Sequence, residues 1–317
     1  MTQIDKSRFE WIGSDSARRE GISRPSTTFW KDAIGRLMKN KVAVVCFFII
    51  VLLILSCIIV PFFSPFESRE QHLGEVNKGF MTVCTDSRYE GQHHVHYFGT
   101  DNLGRDLFLR AFEGGRVSLM IAFAAVFVNL IVGLIYGGIS GYIGGAVDTI
   151  MMRIVEIVNG IPYLIVVILL MMVLPKGIFT MVVAYGITGW TGMARLVRGQ
   201  VLQLKSQEYI VAAEAMGAKS SRIIAKHLIP NALSVIIINV TLAIPSAIFT
   251  EAFLSYIGLG VPVPQPSWGV LAKGGQDVFM TYPYQLVVPA VAISLTMLSF
   301  NLLGDGLRDA LDPKLSD

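Results

Sequence analysis

The sequence predicts an all-α integral membrane protein with six transmembrane helices and both termini in the cytoplasm. Three observations carry that expectation. Of 317 residues, 53% are hydrophobic and 15% charged, with a mean hydropathy of +0.59, whereas soluble domains carry about 25% charge. Six apolar stretches reach the roughly 20 residues that a helix needs to cross a bilayer. Lys and Arg gather in connections that six crossings place on one side.

Taken in order, residues 1–41 form a polar segment holding nine Lys and Arg. With no cleavable leader pattern, the first span, 42–62, reads as an uncleaved anchor. A long outer connection, 63–116, follows; from Ser64 to Arg116, eight acids outnumber six basic residues. The five-span core covers 117–304, with crossings at 117–140, 148–173, 177–195, 232–255 and 285–304. Within it the 195–230 segment carries Arg195, Arg198, Lys205, Lys219, Arg222 and Lys226. The 256–284 loop has only Lys273 against Asp277, and a tail, 305–317, closes the chain with Arg308 and Lys314. Basic residues therefore put both termini and the 195–230 segment inside. The net charge of +3 is this topology signal; it gives no support to nucleic-acid binding.

Most catalytic chemistries are missing. No GxxxxGK[ST] string is present, and GAKSS at 217–221 lacks the spacing that cradles phosphates. Neither GxSxG nor HExxH occurs, so no catalytic residues are assigned. Cys46 and Cys57 fall inside span 1 and Cys84 is alone in the outer loop, which implies no disulfide framework. His93, His94 and His96 have the donor chemistry of a metal site. No nearby Cys or second His pair gives regular spacing, so a solvated loop is the favoured reading and no metal is assigned.

Gly133, Gly137, Gly141 and Gly145 recur every four residues and so share a helix face. Packing within the bundle is favoured over a subunit interface or a pore-lining face. Ionisable groups at membrane depth are costly and point to function by default. Arg153 can neutralise Asp148 or Glu156 as a structural pair. Glu251 is expected near interfacial water, and Asp305 beside Arg308. Glu156, Glu251 and Asp305 are the pore or gating candidates, although no chain of carboxylates and histidines suggests a proton relay.

The most informative stretch is KSQEYIVAAEAMGAKSSRIIAKHLIP, residues 205–230. It reads as two short helices parted by Gly217. Ser206 is the expected N-cap of the first and Ser220 of the second, and Pro230 is the expected stop. Ala212, Ala213 and Ala215 smooth the first helix for close packing. An amphipathic helix on the inner leaflet needs a broad face of large apolar groups. Docking to a cytoplasmic protein is therefore favoured over lipid contact.

This segment resembles the cytoplasmic signature loop of ABC importer permeases, EAA-x3-G-x9-I-x-LP. Ala212, Ala213, Gly217 and Pro230 match it; Val211 stands where Glu is usual, His227 where Ile is, and Ile229 where Leu is. HYFGTDNLGRDLFLRAFEGGRVSL (96–119), FLSYIGLGVPVPQPSWG (253–269) and NLLGDGLRDALDPKL (301–315) are similar to sequences of the peptide and nickel permeases. TFWKDAIGRLMKNKVAV (28–44) looks most like the oligopeptide branch, C-type subunit. The resemblance implies a type I ABC importer permease in a bacterial or archaeal plasma membrane. It implies a related second permease, two cytoplasmic ATPase subunits that hold ATP and Mg, and an outer peptide-binding protein, with no cofactor in this chain. The ATPase-coupling loop would be 196–231, with contacts from Glu208, Tyr209, Ala212, Ala213, Glu214, Gly217, Ala218 and Pro230. Loss of Glu at Val211 removes an ion pair from that contact but not the loop's shape.

In the outer loop, Gly99, Asp101, Gly104, Arg105 and Asp106 favour tight turns locked by an Asp–Arg pair. Contact of Asp101, Arg105 and Asp106 with the binding protein is the alternative. Trp268, Tyr282 and Tyr284 are expected as outer-interface anchors. The cargo reading is oligopeptides, with dipeptides, glutathione or nickel as rivals. Outside this class stand an ion-coupled secondary transporter and a peptide sensor.

Overall fold

The computed structural model describes residues 29–85 and 94–311. Residues 1–28, His93 and Lys314 lie outside them, as do the readings made on those residues. Helices dominate. α1 (Phe29–Lys39) is amphipathic and precedes α2 (Lys41–Phe63), which opens where the Asn40 side chain accepts from Ala43 N at 3.1 Å. Ala33 is buried with Ile238 and Leu311, so α1 lies against the bundle.

α3 (Leu107–Ile143) is ten residues longer at its start than the expected span. Asp106 explains this: its Oδ1 accepts from Leu109 N at 2.7 Å, capping the helix well before the apolar run begins. Gly144, at φ 72°, ends it. The expected crossing at 148–173 is broken. α4 (Gly145–Asn159) and α5 (Tyr163–Val173) meet at 78° across Gly160, Ile161 and Pro162. Pro162 disfavours helical backbone at Ile161, which forces the bend.

The stretch at 177–195 becomes two helices, α6 (Ile178–Thr188) and α7 (Trp190–Lys205), the second running past the expected end. Beyond them come α8 (Glu208–Ala215), α9 (Ser220–Ile223) and a five-residue π turn, Ile224–Leu228. α10 (Ile229–Tyr256) continues from it; α11 (Trp268–Asp277) and α12 (Tyr284–Leu311) complete the described residues. Pro230 does not stop the helix. It sits inside the continuous run Ser220–Tyr256, directly after the π turn, whose wider backbone gives its ring room.

Among the described residues, four helical runs are long and apolar enough to cross a membrane: α2, α3, Ser220–Tyr256 and α12. The bent pair α4–α5 makes a fifth if counted as one. The core joins α2, α3, α10 and α12 through Cys46, Ile50, Leu119, Ala122, Val126, Ile248 and Phe300. Trp268 is in its centre, 1% exposed, with Nε1 donating to Ala111 O at 2.9 Å. It is therefore a core residue and not an interface anchor. Large apolar side chains cover the outside instead, including Phe48, Leu52, Phe127, Ile135, Met172 and Leu298. Such an exterior suits lipid or neighbouring helices.

The glycine face of α3 packs on α7. A Cβ at Gly133 would strike the Met193 side chain, one at Gly137 the Ala194 carbonyl, and one at Gly141 the Arg198 carbonyl at 2.9 Å. Packing within the bundle is the structural role of these three. Gly145 departs from the series: it lies beyond the helix end, at φ 57°, with open space around it.

Candidate functional site

The 205–230 segment lies at the carboxyl end of α3. Ile210 on α8 and Ile223 on α9 are fully buried with Leu228, Val197, Val201, Ala232 and Ile236. Tyr142, near the end of α3, donates from Oη to Glu214 Oε1 at 3.0 Å, and Lys205 Nζ donates to Tyr142 O at 2.5 Å. The helix pair is thus bolted to the bundle by apolar residues beneath and polar groups at the rim. The caps differ from expectation. Ser206 closes α7, Gln207 precedes α8 and Lys219 precedes α9, none of them with a side-chain cap bond to the helix that follows. Gly217 holds φ 79° between the helices, with nothing within 4 Å of an added Cβ.

Of the expected contact residues, Glu208, Tyr209, Ala212, Glu214, Gly217 and Pro230 are exposed, and Ala218 is half-buried. Ala213 turns inward at 6% exposure, so its small size serves packing on the bundle and not an outer contact. Val211 and Met216 stand out at 54% and 82%. The outward face of α8 is therefore a small apolar knob with Glu208 beside it.

The ionisable candidates are not brought together. Glu156 is exposed and pairs with Arg153 at 2.6 Å. Asp148 pairs with Arg198 on α7, each of its oxygens 2.5 Å from a guanidinium nitrogen, and Ser140 Oγ also donates to it at 2.5 Å. Arg153 therefore takes one of its two candidate partners. Glu251 is 1% exposed and receives Ser255 Oγ at 2.8 Å, so it does not reach interfacial water. Asp305 and Arg308 are both exposed, and among the described residues no ion pair joins them. They lie one turn apart but project freely.

At the opposite end of α3 the 64–106 connection folds against the bundle. β1 (Thr82–Val83) and β2 (Val95–His96) pair antiparallel, next to a 3-10 turn at Leu73–Glu75. Asp101 accepts from Leu103 N, Arg105 N and Arg105 Nε at 2.9, 3.0 and 2.7 Å. Gly99 and Gly104 take φ 77° and 73°, and a Cβ at either would run into the backbone of Lys78 or His72. The locked turn is thus built as drawn from the sequence. Asp101 and Asp106 are buried at 6% and 3%, Asp101 holding the turn and Asp106 capping α3. Tyr284 donates to Lys78 O at 2.8 Å, tying the connection to α12. A cavity of about 700 Å³ opens here, lined by Asp101, Arg105, Arg110, Lys273 and Gln285 among others.

His96 corrects the solvated-loop reading. It is fully buried, with Nε2 2.9 Å from Glu75 Oε2 and Nδ1 2.7 Å from Asp106 Oδ2. Burial lowers the imidazole's proton affinity, but the two carboxylates outweigh it and raise it above the ordinary range. Burial likewise pushes the Glu75 carboxyl up. Hydrogen bonds from Thr85, His96 and Cys84 outweigh that and hold it below the usual carboxylate range.

Residues 129–317 match the family model of the binding-protein-dependent transport system inner membrane component, and 28–79 match the N-terminal TM domain of oligopeptide transport permease C. The chain belongs to this family of inner membrane transport components. It is 49% identical to the oligopeptide transport system permease protein OppC of Bacillus subtilis (strain 168), over 99% of both chains. The dipeptide transport system permease protein DppC of the same strain is 48% identical, over 93% of this chain and 89% of that one. OppC of Escherichia coli (strain K12) is 42% identical, over 98% and 99%. An inward-facing structure of the methionine ABC transporter MetNI superposes with a TM-score of 0.52 at 19% identity, covering 64% of this chain and 96% of that one. That likeness concerns the fold alone.

Within this inner membrane component two features escape sequence reading. The Asp148–Arg198 pair joins residues 50 apart, and nothing local marks them as partners. The His96 cluster joins Glu75, Cys84, His96 and Asp106, whose ligand types are visible but whose proximity depends on the strand pair and the Asp106 cap.

Proposed function

We propose that this chain is the permease subunit of an ATP-driven ABC importer of oligopeptides. The match to OppC of Bacillus subtilis along 99% of both chains is the observation that carries the reading. In it the chain crosses the plasma membrane six times, with the α6–α7 region supplying a crossing and both termini inside. A second permease completes the pore, an outer peptide-binding protein delivers cargo, and two ATPase subunits hold ATP and Mg. The exposed knob of α8 fits a groove on one ATPase. Contact there is mainly apolar, through Val211, Ala212 and Met216, with Glu208 and Tyr209 at its edge and Gly217 setting the angle to α9. ATP-driven closure of the ATPases pulls α8, and α7 and α10 follow because Ile210, Ile223, Val197 and Ile236 share one buried cluster. ATP thereby biases the equilibrium between inward-open and outward-open states.

The test is uptake into vesicles holding the complete complex, with binding protein outside and ATP inside. Labelled oligopeptides should accumulate only with hydrolysable ATP. Accumulation driven by an ion gradient without ATP would establish secondary transport instead. The 48% identity to DppC favours a second reading, a dipeptide permease. Competition by unlabelled dipeptides at least as strong as that by longer peptides would select it.

A further inference from the structure

We propose that Glu75, Cys84 and His96 form a binding site for a zinc-class divalent cation, with Asp106 orienting the histidine. One carboxylate oxygen, one thiol sulfur and one imidazole nitrogen all lie within 4.8 Å of one another. Cys84 Sγ is 3.2 Å from Glu75 Oε2, and His96 Nε2 is 2.9 Å from the same oxygen. Ligand atoms around tetrahedral zinc are about 3.3 to 3.6 Å apart, so a small expansion admits the ion. The mixed oxygen, nitrogen and sulfur set suits borderline-soft Zn2+ and is a poor cage for Mg2+ or Ca2+. All three residues are buried, at 2%, 8% and 0% exposure.

Asp106 adds the second half of a metal site. Its Oδ2 holds His96 Nδ1 at 2.7 Å, which leaves Nε2 for the ion and fixes the ring's direction. Its other oxygen caps α3. Zn2+ entry displaces one proton from the Cys84 sulfur and one from His96 Nε2. The dication replaces the imidazolium charge and balances the new thiolate, so the net buried charge is the same in both forms. A buried pocket tolerates that exchange far better than the addition of bare charge.

The site would do for the connection what a disulfide does in small secreted domains. Among the described residues its regular structure amounts to two two-residue strands and one turn of 3-10 helix, and no disulfide joins the chain's three cysteines. An ion would cross-link the turn, the residue after β1 and the end of β2, and through Asp106 fasten them to α3.

The complete complex, purified without chelator, incubated with Zn2+ and passed through a desalting column, should retain about one Zn2+ per chain above the level of a Cys84→Ser complex. Cys57→Ser, which alters a thiol in the membrane core, should keep the ion. Asp106→Asn preserves a cap acceptor and should weaken retention about 10- to 100-fold. Loading with Co2+ should give a thiolate-to-cobalt charge-transfer band that Cys84→Ser lacks, a readout indifferent to losses in yield. Equal Zn2+ retention by wild type and Cys84→Ser, or Co2+ bound without the thiolate band, would overturn the proposal as adventitious binding.

Discussion

Trp268 shows how one side chain can decide a bundle's interior. Its indole fills the space between α3 and α10, and Gly115 and Gly269 are glycines partly because that ring and the Ala252 carbonyl come so near. Trp268→Ala should lower the stability of the detergent-solubilised complex by about 3–5 kcal/mol, seen as an earlier thermal transition. Gly217 illustrates a different constraint. The space around it is open, so a side chain there conflicts with the left-handed backbone and with no neighbour. Gly217→Val should leave assembly intact while reducing peptide uptake per ATP hydrolysed, measured side by side in vesicles. Unchanged uptake per ATP would show that the α8–α9 angle is irrelevant to coupling.

At the level of helices, α3 and α7 form the most intimate pair because glycine lets their backbones meet. Gly137→Leu should drive them apart and lower stability by at least about 1–3 kcal/mol, whereas Gly141→Ala should be milder. Fluorescence-detected size exclusion after heating distinguishes the two. α4 is held to α7 by Asp148 and Arg198, whose side chains are 14% and 33% exposed. Removing either should cost about 2 kcal/mol, and removing both less than the sum, in a double-mutant cycle. Of these elements, the glycine face was readable from its four-residue period. The break in 148–173 was less so, because hydropathy averages over Pro162 while backbone geometry does not.

For the molecule as a whole, α3 sets the scale. Its 37 residues span about 55 Å, separating the locked 64–106 connection from the 205–230 helix pair. The proposed topology puts these two features on opposite faces of the membrane. Ser221→Cys should react with an impermeant maleimide only in inside-out vesicles, and Asn102→Cys only in right-side-out cells. Both positions are exposed and the native cysteines are buried, so background labelling should be low. Labelling of both from one side would refute the six-span arrangement.

The linear chain by itself determined membrane residence, the apolar runs, the glycine face, the locked Asp101–Arg105 turn and the polar helix pair with its Gly217 break. Each depends on composition or on neighbours within a few residues, where periodicity and turn chemistry act. Only the tertiary structure decided that Ala213 faces inward, that Trp268 is core, that Pro230 sits within a continuous helical run and that His96 is buried between Glu75 and Asp106. It also chose Arg198 as the partner of Asp148. These outcomes turn on which distant segments come together, and side-chain burial and pairing across 10 to 50 or more residues leave no local pattern in the chain.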